Sequence, residues 1–370
     1  MSDTTIPAVR SLPDLTIDDR PTVGGKGASL GELLRAGIRV PPGFVVTTAG
    51  FKTALGVIDP DHELRNRLES LSHTDSRGIE EVATELRRRV LDTPLPDELQ
   101  ATLTSHYRDL GEQGGETDPP VAVRSSATGE DSADASFAGL QDTFLFVRGA
   151  EEVIDKVRAC WASLYNVESV TYRRGRELAE DDMAMAVVVQ RMVDARCSGV
   201  MFTCSPVSGD RSVVALEASW GLGSAMVGGE VTPDSYTISK VTGEIIRREV
   251  AAKLVQHRMD PSGRGVETAD VPDELQSEPC LTDEQLRALV ELARRVEDHY
   301  GVPQDIEWAM PEEPVEGQEI LLLQSRPETV WAHRQRTPLA KPRGRPYDHV
   351  LDFLSGGARQ KDGGQGEGSS

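Results

Sequence analysis

The sequence predicts a mixed α/β (α+β) protein with two lobes and a C-terminal tail, and three observations support this organisation. Helical and extended patterns alternate along the chain. The 370 residues leave room for two or three domains with cores of their own. After Trp331 the composition shifts toward glycine, glutamine, serine and charge, which cannot offset the entropy of ordering. We therefore expect a first unit over 1–183, a second over 184–330, and a linker with a disordered tail over 331–370.

The net charge is the strongest global feature of the composition. The chain has 61 acidic and 40 basic residues, which gives a formal charge of −21. Nucleic-acid binding requires a basic face for the phosphate backbone, so this balance argues against a nucleic-acid partner. An acidic protein that binds a polyanion needs local cations, and basic residues inside motifs therefore gain importance.

Cysteine usage and hydropathy bear on location. The cysteines at 160, 197, 204 and 280 are widely spaced and form no C-x-x-C pair, so we expect reduced thiols rather than zinc ligands or disulfides. The N-terminus shows no basic segment followed by an apolar one, and no apolar stretch approaches about 18 residues. We expect a cytoplasmic protein with no membrane partner.

In the first unit, a glycine-rich loop is followed by a helix predicted over 28–36. Gly37 suits a left-handed C-cap, and Pro41 and Pro42 prevent the helix from continuing. A short strand is expected over 43–47. The rest of the unit is predicted as polar helices within 62–111, a loop over 111–120, strands over 121–124 and 143–147, and helices over 153–165 and 169–178.

The second unit is predicted mainly as strands. Apolar runs indicate buried strands over 185–192 and 199–203. Thr282 begins a helix that extends to Tyr300, because Thr282 and Gln285 can form a capping box. The remaining elements are strands over 213–217, 235–239 and 244–249, and a closing strand pair over 304–309 and 320–324, joined by an acidic turn.

The first candidate site is the block Gly24-Gly25-Lys26-Gly27. Glycines allow the backbone to approach a phosphate group, and the start of the following helix supplies free amides. Lys26 adds a point charge suited to phosphate. The spacing differs from that of a P-loop, and an ordinary glycine-rich turn is the alternative.

A second block places Arg124 at the end of a strand, before a run of small hydroxyl residues. An arginine delivered in this way can bind phosphate oxygens through two hydrogen bonds. The small residues that follow suit a flexible lid, in which the Gly139 amide and the Thr143 hydroxyl donate hydrogen bonds. The alternative is a polar surface hairpin with a solvated arginine.

The closing strand pair carries a third group of polar side chains. Side chains alternate along a strand, so Glu307 faces away from Ile306, and Gln324 and Arg326 share one face. If the strands pair in register, these three residues converge. Two oxygen ligands would then be available for Mg²⁺, together with one cation for phosphate. An exposed hairpin with an ion pair is the alternative.

Two further polar residues lie at strand ends. Gln190 ends an apolar run, at a place where a buried adenine edge could be recognised. Glu217 ends another strand before a glycine-rich turn. For both residues the alternative is a structural polar group with satisfied hydrogen bonds.

These blocks together resemble the N-terminal nucleotide-binding region of the phosphoenolpyruvate synthase, pyruvate phosphate dikinase and rifampin phosphotransferase family. The resemblance covers roughly residues 15–329 and consists of motifs in a fixed order. The motifs are Gly25-Lys26-Gly27-Ala28-Ser29-Leu30-Gly31-Glu32, Pro41-Pro42-Gly43-Phe44, Arg124-Ser125-Ser126-Ala127-Thr128, Ser136-Phe137-Ala138-Gly139, Gly199-Val200-Met201-Phe202-Thr203, Gly229-Glu230-Val231-Thr232-Pro233-Asp234 and Gln324-Ser325-Arg326-Pro327.

The resemblance implies an ATP-grasp fold, in which two α/β lobes hold ATP between them. It also implies a dikinase-like phosphotransferase that passes a phosphoryl or pyrophosphoryl group from Mg-ATP to a histidine on a swivelling domain. The catalytic cations would be Lys26, Arg124 and Arg326, and the Mg²⁺ ligands would be Glu307 and Gln324. By position, the implied ATP contacts are Lys26, Arg124, Gly139, Thr143, Gln190, Glu307, Gln324 and Arg326.

The chain departs from the family pattern at two points. Ser224 follows a Gly-Leu-Gly turn where relatives often carry glutamate, so one carboxylate near the site is missing. The Gly-rich Thr-Ser-His motif of the swivelling domain is absent, since Thr104-Ser105-His106 lacks flanking glycines. We therefore expect a separately encoded partner that carries the phospho-accepting histidine and the acceptor-binding domain.

Two other functions are compatible with the sequence. One is a self-sufficient kinase for a small acceptor, although no acceptor pocket is visible in the sequence. The other is a nucleotide-sensing regulatory subunit without catalysis. The retained cations and Glu307 argue against the regulatory role, whereas Ser224 leaves it open.

Overall fold

The computed structural model describes residues 6–127, 142–176, 178–180, 183–314, 317 and 319–328. Gly139 and the tail predicted over 331–370 lie outside the described residues. In the part of the chain that the structure describes, no helix is long and apolar enough to cross a membrane.

The described helices cluster in the N-terminal half of the chain. Short 3-10 turns at Leu12–Asp14 and Ile17–Asp19 precede the first of them. The helices are α1 Arg20–Arg35, α2 Thr48–Ile58, α3 Glu63–Ser70, α4 Ser76–Asp92, α5 Asp97–Gly114, α6 Ala150–Ser163, α7 Val167–Gly175, α8 Ser224–Val227 and α9 Asp283–Tyr300.

The described strands alternate with these helices and then dominate the C-terminal half. They are β1 Val9–Ser11, β2 Gly43–Val46, β3 Val121–Ala127, β4 Thr143–Val147, β5 Met185–Arg191, β6 Ala195–Phe202, β7 Val213–Trp220, β8 Asp234–Ser239, β9 Ile245–Glu249, β10 Val255–Met259, β11 Val266–Asp270, β12 Gln304–Pro311 and β13 Leu321–Pro327. The mixed class predicted from the sequence is confirmed, and it is consistent with an ATP-grasp-like domain.

The first sheet has the strand order β1-β2-β5-β3-β4, and its neighbouring strands are antiparallel. Alternate residues of β3 and β5 face opposite ways. Val123 and Val187 lie on one face, in a core that includes Trp161 of α6. Ala186 and Val188 lie on the other face and belong to a second core.

The second sheet has the order β13-β12-β6-β7-β8-β9. Ile306 and Trp308 project from one face into the second core, where they meet Leu289 of α9 and Leu30 of α1. This core therefore joins α1, the inner face of the first sheet and one face of the second sheet. Asp305 and Glu307 alternate with the apolar residues and project from the opposite face.

Several element ends differ from the predictions. The helix predicted over 28–36 begins earlier, at Arg20, and passes through a non-helical residue at Gly24. The loop predicted over 111–120 starts later, because α5 continues to Gly114 and ends at a left-handed Gly115. The capping box at the start of α9 is confirmed, with Gln285 N bonded to Thr282 Oγ1 and Thr282 N bonded to Gln285 Oε1.

The boundary at 183/184 between the two predicted units falls just before β5. This strand pairs with β2 and β3 and so belongs to the first sheet. A division of the chain by sheet would fall after Arg191. The pairing of β5 matters for the site because it brings Gln190 onto the first sheet, opposite Ala122.

Candidate nucleotide site

The glycine block lies at a break in α1 that rests directly on β3. Gly24 has φ 70° and ψ 176°, a conformation that L side chains rarely adopt. A Cβ atom built there would lie 2.1 Å from the carbonyl oxygen of Ser126. Position 24 therefore requires glycine both for its backbone angles and for its approach to β3.

Ser126 fixes this break to the strand through its side chain. Its hydroxyl donates to the carbonyl of Val23 at 2.8 Å and accepts from the amide of Gly27 at 3.2 Å. Lys26 lies between these two anchored residues and is half-buried. The structure thus holds Lys26 at the start of the continuous part of α1, and its binding of phosphate stays a prediction.

The charge of Lys26 acts on a thiol of α6. Burial raises the pKa of the Cys160 thiol far above its ordinary value, and the Lys26 charge acts against this increase. Each of the four cysteines is buried and forms no disulfide bond. A thiol with a raised pKa stays protonated at neutral pH and is a poor nucleophile.

The side chain of Arg124 forms hydrogen bonds from the first sheet to the second. Its Nη2 lies 3.0 Å from Oε2 of Glu307 and 2.7 Å from Oε1 of Gln324, and its Nη1 donates to the carbonyl of Leu323 at 2.9 Å. The Arg124 side chain is 12% exposed, and that of Glu307 is 39% exposed. One partly buried guanidinium from the first sheet therefore binds both oxygen-bearing side chains of the second.

The register of β12 and β13 explains this convergence. Glu307 lies directly opposite Gln324, and a bulge follows between Glu307 and Trp308. The bulge leaves Leu323 without a direct partner on β12, and its carbonyl accepts from Arg124 instead. The predicted convergence of Glu307 and Gln324 is present in the structure, with Arg124 added to the pair.

Arg326 lies one step further along the same face. It is opposite Asp305, and its Nε donates to Asp305 Oδ2 at 2.9 Å, while half of its side chain is exposed. Burial raises the pKa of the Asp305 carboxyl, and the Arg326 charge partly opposes this. Arg326 therefore shares the face with Glu307 and Gln324 but is paired with Asp305.

The oxygen atoms of Glu307 and Gln324 suit a magnesium ion. Both lie within hydrogen-bond distance of the same Arg124 nitrogen, so they converge on one point. A carboxylate and an amide oxygen are hard ligands of the kind that Mg²⁺ prefers. Within the described ranges, no group of three His, Cys, Asp or Glu side chains could hold a metal alone. An ion here would need further ligands from phosphate groups or water.

Gln190 lies on the same face of the first sheet as Arg124. It is opposite Ala122, and Val188, two residues away on β5, is opposite Arg124. The Gln190 side chain is buried, and its Nε2 donates to the carbonyl of Pro41 at 3.2 Å. This hydrogen bond fixes the orientation of the Gln190 amide. Recognition of adenine by Gln190 stays a prediction.

Thr143 lies opposite Arg124 on the neighbouring strand β4 and is exposed. It lines a cavity of about 540 Å³ that extends toward the β10–β11 hairpin. Glu217 is exposed on the second sheet, opposite Val200, which in turn lies opposite Glu307. Glu217 is thus on the face of Glu307, two strands away.

Sequence reasoning missed three contributors to this arrangement. Ser126 belongs to the motif that follows Arg124, but its role as an anchor for the glycine block depends on the packing of α1 against β3. Asp305 stood beside Glu307, and its alternation along the strand could have identified it as a partner for Arg326. The Leu323 carbonyl becomes available through a bulge, which left no signal in the sequence.

Comparison with known proteins identifies the family of the chain. Residues 20–345 match the family described as the pyruvate phosphate dikinase AMP/ATP-binding domain. The chain belongs to this family. The match covers every strand of both sheets except β1, together with the whole of the arrangement around Arg124, Glu307 and Gln324.

Individual relatives are similar over the same region. A probable phosphoenolpyruvate synthase from Methanothermobacter thermautotrophicus is 42% identical over 327 residues, which cover 88% of this chain and 47% of the relative. A rifampicin phosphotransferase from Streptomyces is 43% identical over 323 residues, or 87% of this chain and 36% of the relative. A phosphoenolpyruvate synthase from Pyrococcus furiosus is 37% identical over 87% of this chain and 44% of the relative. The chain thus spans less than half the length of each.

Proposed function

We propose that this chain binds Mg-ATP between its two sheets and transfers a phosphoryl or pyrophosphoryl group to a histidine on a swivelling domain. The observation that carries the proposal is the contact of Arg124 with Glu307 and Gln324. It joins a phosphate-binding cation of one sheet to a metal-binding pair of the other. The relatives named phosphoenolpyruvate synthase and rifampicin phosphotransferase support the reaction class.

In this proposal the cations neutralise the charge of the triphosphate. Lys26 binds phosphate from the start of α1, and Arg124 and Arg326 bind it from the two sheets. Phosphoryl transfer depends mainly on such positioning and charge neutralisation, because the protein contributes little covalent chemistry. Arg124 would exchange the oxygens of Glu307 and Gln324 for phosphate oxygens, since one guanidinium can bind two oxygens at once.

The pair of Glu307 and Gln324 would then be free to hold Mg²⁺. When bound, the ion would neutralise part of the charge of the phosphates. Gly139, Thr143 and Gln190 would contact the nucleotide around this centre, with Gln190 at the adenine. The lobes proposed over 1–183 and 184–330 would enclose it, and 331–370 would form the linker and tail.

The acceptor histidine would come from a separately encoded partner. Three histidines of the described part are engaged elsewhere: His106 with the carbonyl of Thr102, His257 with Ser224 and Glu230, and His299 with Glu32. A histidine on a mobile domain could instead approach the phosphates and carry the group to an acceptor site.

The test is a transfer assay with a candidate partner that carries the Gly-rich Thr-Ser-His motif. The chain, the partner and Mg-ATP are incubated together, with ATP labelled in either the β- or the γ-phosphate. We expect an acid-labile phosphohistidine on the partner, whose formation slows by about 100-fold or more in the Arg124→Met variant. The position of the label distinguishes pyrophosphoryl from phosphoryl transfer. ATP binding without phosphohistidine under any pairing would contradict the proposal and support a nucleotide-sensing subunit.

A further inference from the structure

Ser224, His257 and Glu230 form a chain of hydrogen bonds outside the arrangement around Arg124. Ser224 Oγ lies 2.8 Å from Nδ1 of His257, and Nε2 of the same ring lies 3.2 Å from Oε2 of Glu230. Because a carboxylate can only accept, the Nε2 atom carries a proton and donates it to Glu230. In the neutral ring the Nδ1 atom then has a lone pair and accepts from the Ser224 hydroxyl.

Backbone contacts bring Ser224, His257 and Glu230 close enough to form these hydrogen bonds. Leu222 N donates to the carbonyl of His257 at 2.9 Å, which joins the glycine-rich turn to strand β10. Gly221 has φ 70°, and a Cβ atom there would lie 2.3 Å from the same carbonyl. Ser198 donates to the carbonyl of Gly221 at 2.7 Å from the second sheet. Position 221 requires glycine, and the turn holds Ser224 against the imidazole.

The β10–β11 hairpin that carries His257 is also attached to the first sheet. Arg148 Nε donates to the carbonyl of Gly263 at 2.8 Å, and Gly265 N donates to the carbonyl of Phe146 at 3.3 Å. Arg264 forms an ion pair with Glu152 of α6. These contacts fix the position of the hairpin relative to β4, and so they fix both walls of the space between them.

Ser224, His257 and Glu230 line the cavity of about 540 Å³ to which Thr143 also contributes. Lys156 lines it as well, with its ammonium group 5.0 Å from the centre of the Phe144 ring. Glu152 and Glu230, the carboxylates in the lining, are each paired with Arg264 or His257. The cavity therefore offers a cation and hydroxyl groups to an anionic ligand, and it connects Ser224 with a residue proposed to contact the nucleotide.

We propose that Ser224 is a nucleophile that accepts the terminal phosphoryl group of a nucleoside triphosphate bound to this chain. A nucleophile within hydrogen-bond distance of a base, with the base oriented by a third group, is the structural signature of nucleophilic catalysis. The inference rests on the proposed nucleotide binding, but it does not require the partner histidine.

The step balances without a further reactant. Ser224 Oγ attacks the γ-phosphorus, and the bond between that phosphorus and the β,γ-bridging oxygen breaks with release of a nucleoside diphosphate. The hydroxyl proton passes to His257 Nδ1, and Glu230 stabilises the resulting imidazolium through Nε2. Lys156 lies in the same cavity, where its charge favours an incoming or newly formed phosphate group.

The test uses the full chain with γ-labelled ATP and separates two kinds of phosphorylation by acid treatment. Phosphoserine survives acid, whereas phosphohistidine is hydrolysed. We expect acid-stable label on the peptide that contains Ser224, located by mass spectrometry of the digested protein. Ser224→Ala should abolish this label, and His257→Gln should slow its appearance by about 100-fold or more.

Matched controls come from the same chain. Ser212 is an exposed serine that bonds Asp210, and His299 forms a histidine–carboxylate pair with Glu32. Ser212→Ala and His299→Gln should leave the label unchanged. A thermal melt of each variant verifies folding. If Ser224→Ala does not fold, the rate of labelling in His257→Gln still tests the proposal.

Nucleotide binding is measured separately by titration with ATP. Absence of binding would overturn the proposed function together with this inference. Binding without acid-stable label, or acid-stable label that persists in a folded Ser224→Ala variant, would overturn this inference alone. Label on Ser224 that depends on His257 would support it.

Discussion

Arg124 and Glu307 are 183 residues apart in the chain, yet their side chains meet at 3.0 Å and connect the two sheets. The contact places a guanidinium from β3 at the exposed face of β12. Glu307 is partly exposed, so this ion pair alone contributes little to stability. Its importance is expected in ligand binding, where the same guanidinium can bind phosphate.

The first prediction concerns Arg124. Arg124→Met removes a charge-assisted contact to phosphate and should weaken ATP binding by roughly 10- to 100-fold. Phosphoryl transfer to the partner should fall further, by about 100-fold or more, because charge on the transferred group is no longer stabilised. Calorimetric titration and the transfer assay measure the two effects. Arg108→Met, on the exposed face of α5, serves as the control.

The second prediction concerns the metal ligands. Glu307→Gln removes the carboxylate charge and keeps the shape of the side chain. The gain in ATP affinity on adding Mg²⁺ should therefore shrink strongly, while affinity measured in a chelator changes little. Glu291→Gln, on the surface of α9, should retain the wild-type gain. An undiminished Mg²⁺ effect in Glu307→Gln would argue against this residue as a ligand.

The third prediction concerns the requirement for glycine at position 24. Gly24→Ala places a side chain at φ 70° and ψ 176°, a region that is essentially restricted to glycine, and adds a clash with the Ser126 carbonyl. Gly115→Ala has φ 70° and ψ 21°, the ordinary left-handed region, and open space around it. The left-handed backbone alone costs about 1–2 kcal/mol. Urea denaturation should show that loss for Gly115→Ala and a clearly larger one for Gly24→Ala. Equal losses would contradict the close approach of α1 to β3.

The fourth prediction concerns a buried ion pair. Lys253 Nζ lies 2.6 Å from Asp234 Oδ1, and both side chains are fully buried. Lys253→Met leaves the carboxylate buried without its counter-ion and should lower the free energy of unfolding by about 3–5 kcal/mol. The exposed pair of Arg258 and Glu267 gives the comparison, since Arg258→Met should cost less than about 1 kcal/mol. Similar losses would contradict the burial of Lys253.

The fifth prediction follows from the raised pKa of Asp305. The folded protein takes up a proton at this carboxyl at a higher pH than the unfolded chain does, so the stability contributed by the group falls as pH rises through the raised pKa. Asp305→Asn should therefore increase stability at neutral pH, and the gain should decrease on acidification through that pKa. Thermal melts across a pH series measure it. A gain that grows toward acid would contradict the assigned direction.

The pairing of Glu307 with Gln324 could be predicted from sequence, because two short strands with alternating polar residues have few ways to align. The contact of Arg124 with the Leu323 carbonyl could not, since it depends on a bulge between the strands. The β10–β11 hairpin was missed for a different reason. Its strands are polar and half-exposed, so they lack the apolar alternation that indicates a strand. The sequence analysis also did not predict helix α2, which lies between a predicted strand and a predicted polar helical segment.

The packing of α1 constrains the folding of the chain as it is synthesised. Ser29 on this helix donates to the carbonyl of Ser325, which lies 296 residues later on the last described strand. The packing of the apolar residues of α1 is therefore complete only after β13 has been synthesised. At about 5–20 residues per second, that interval lasts roughly 15–60 s. A growing chain thus exposes an apolar helix surface for long enough to make aggregation a hazard, and chaperone binding during synthesis would protect this surface.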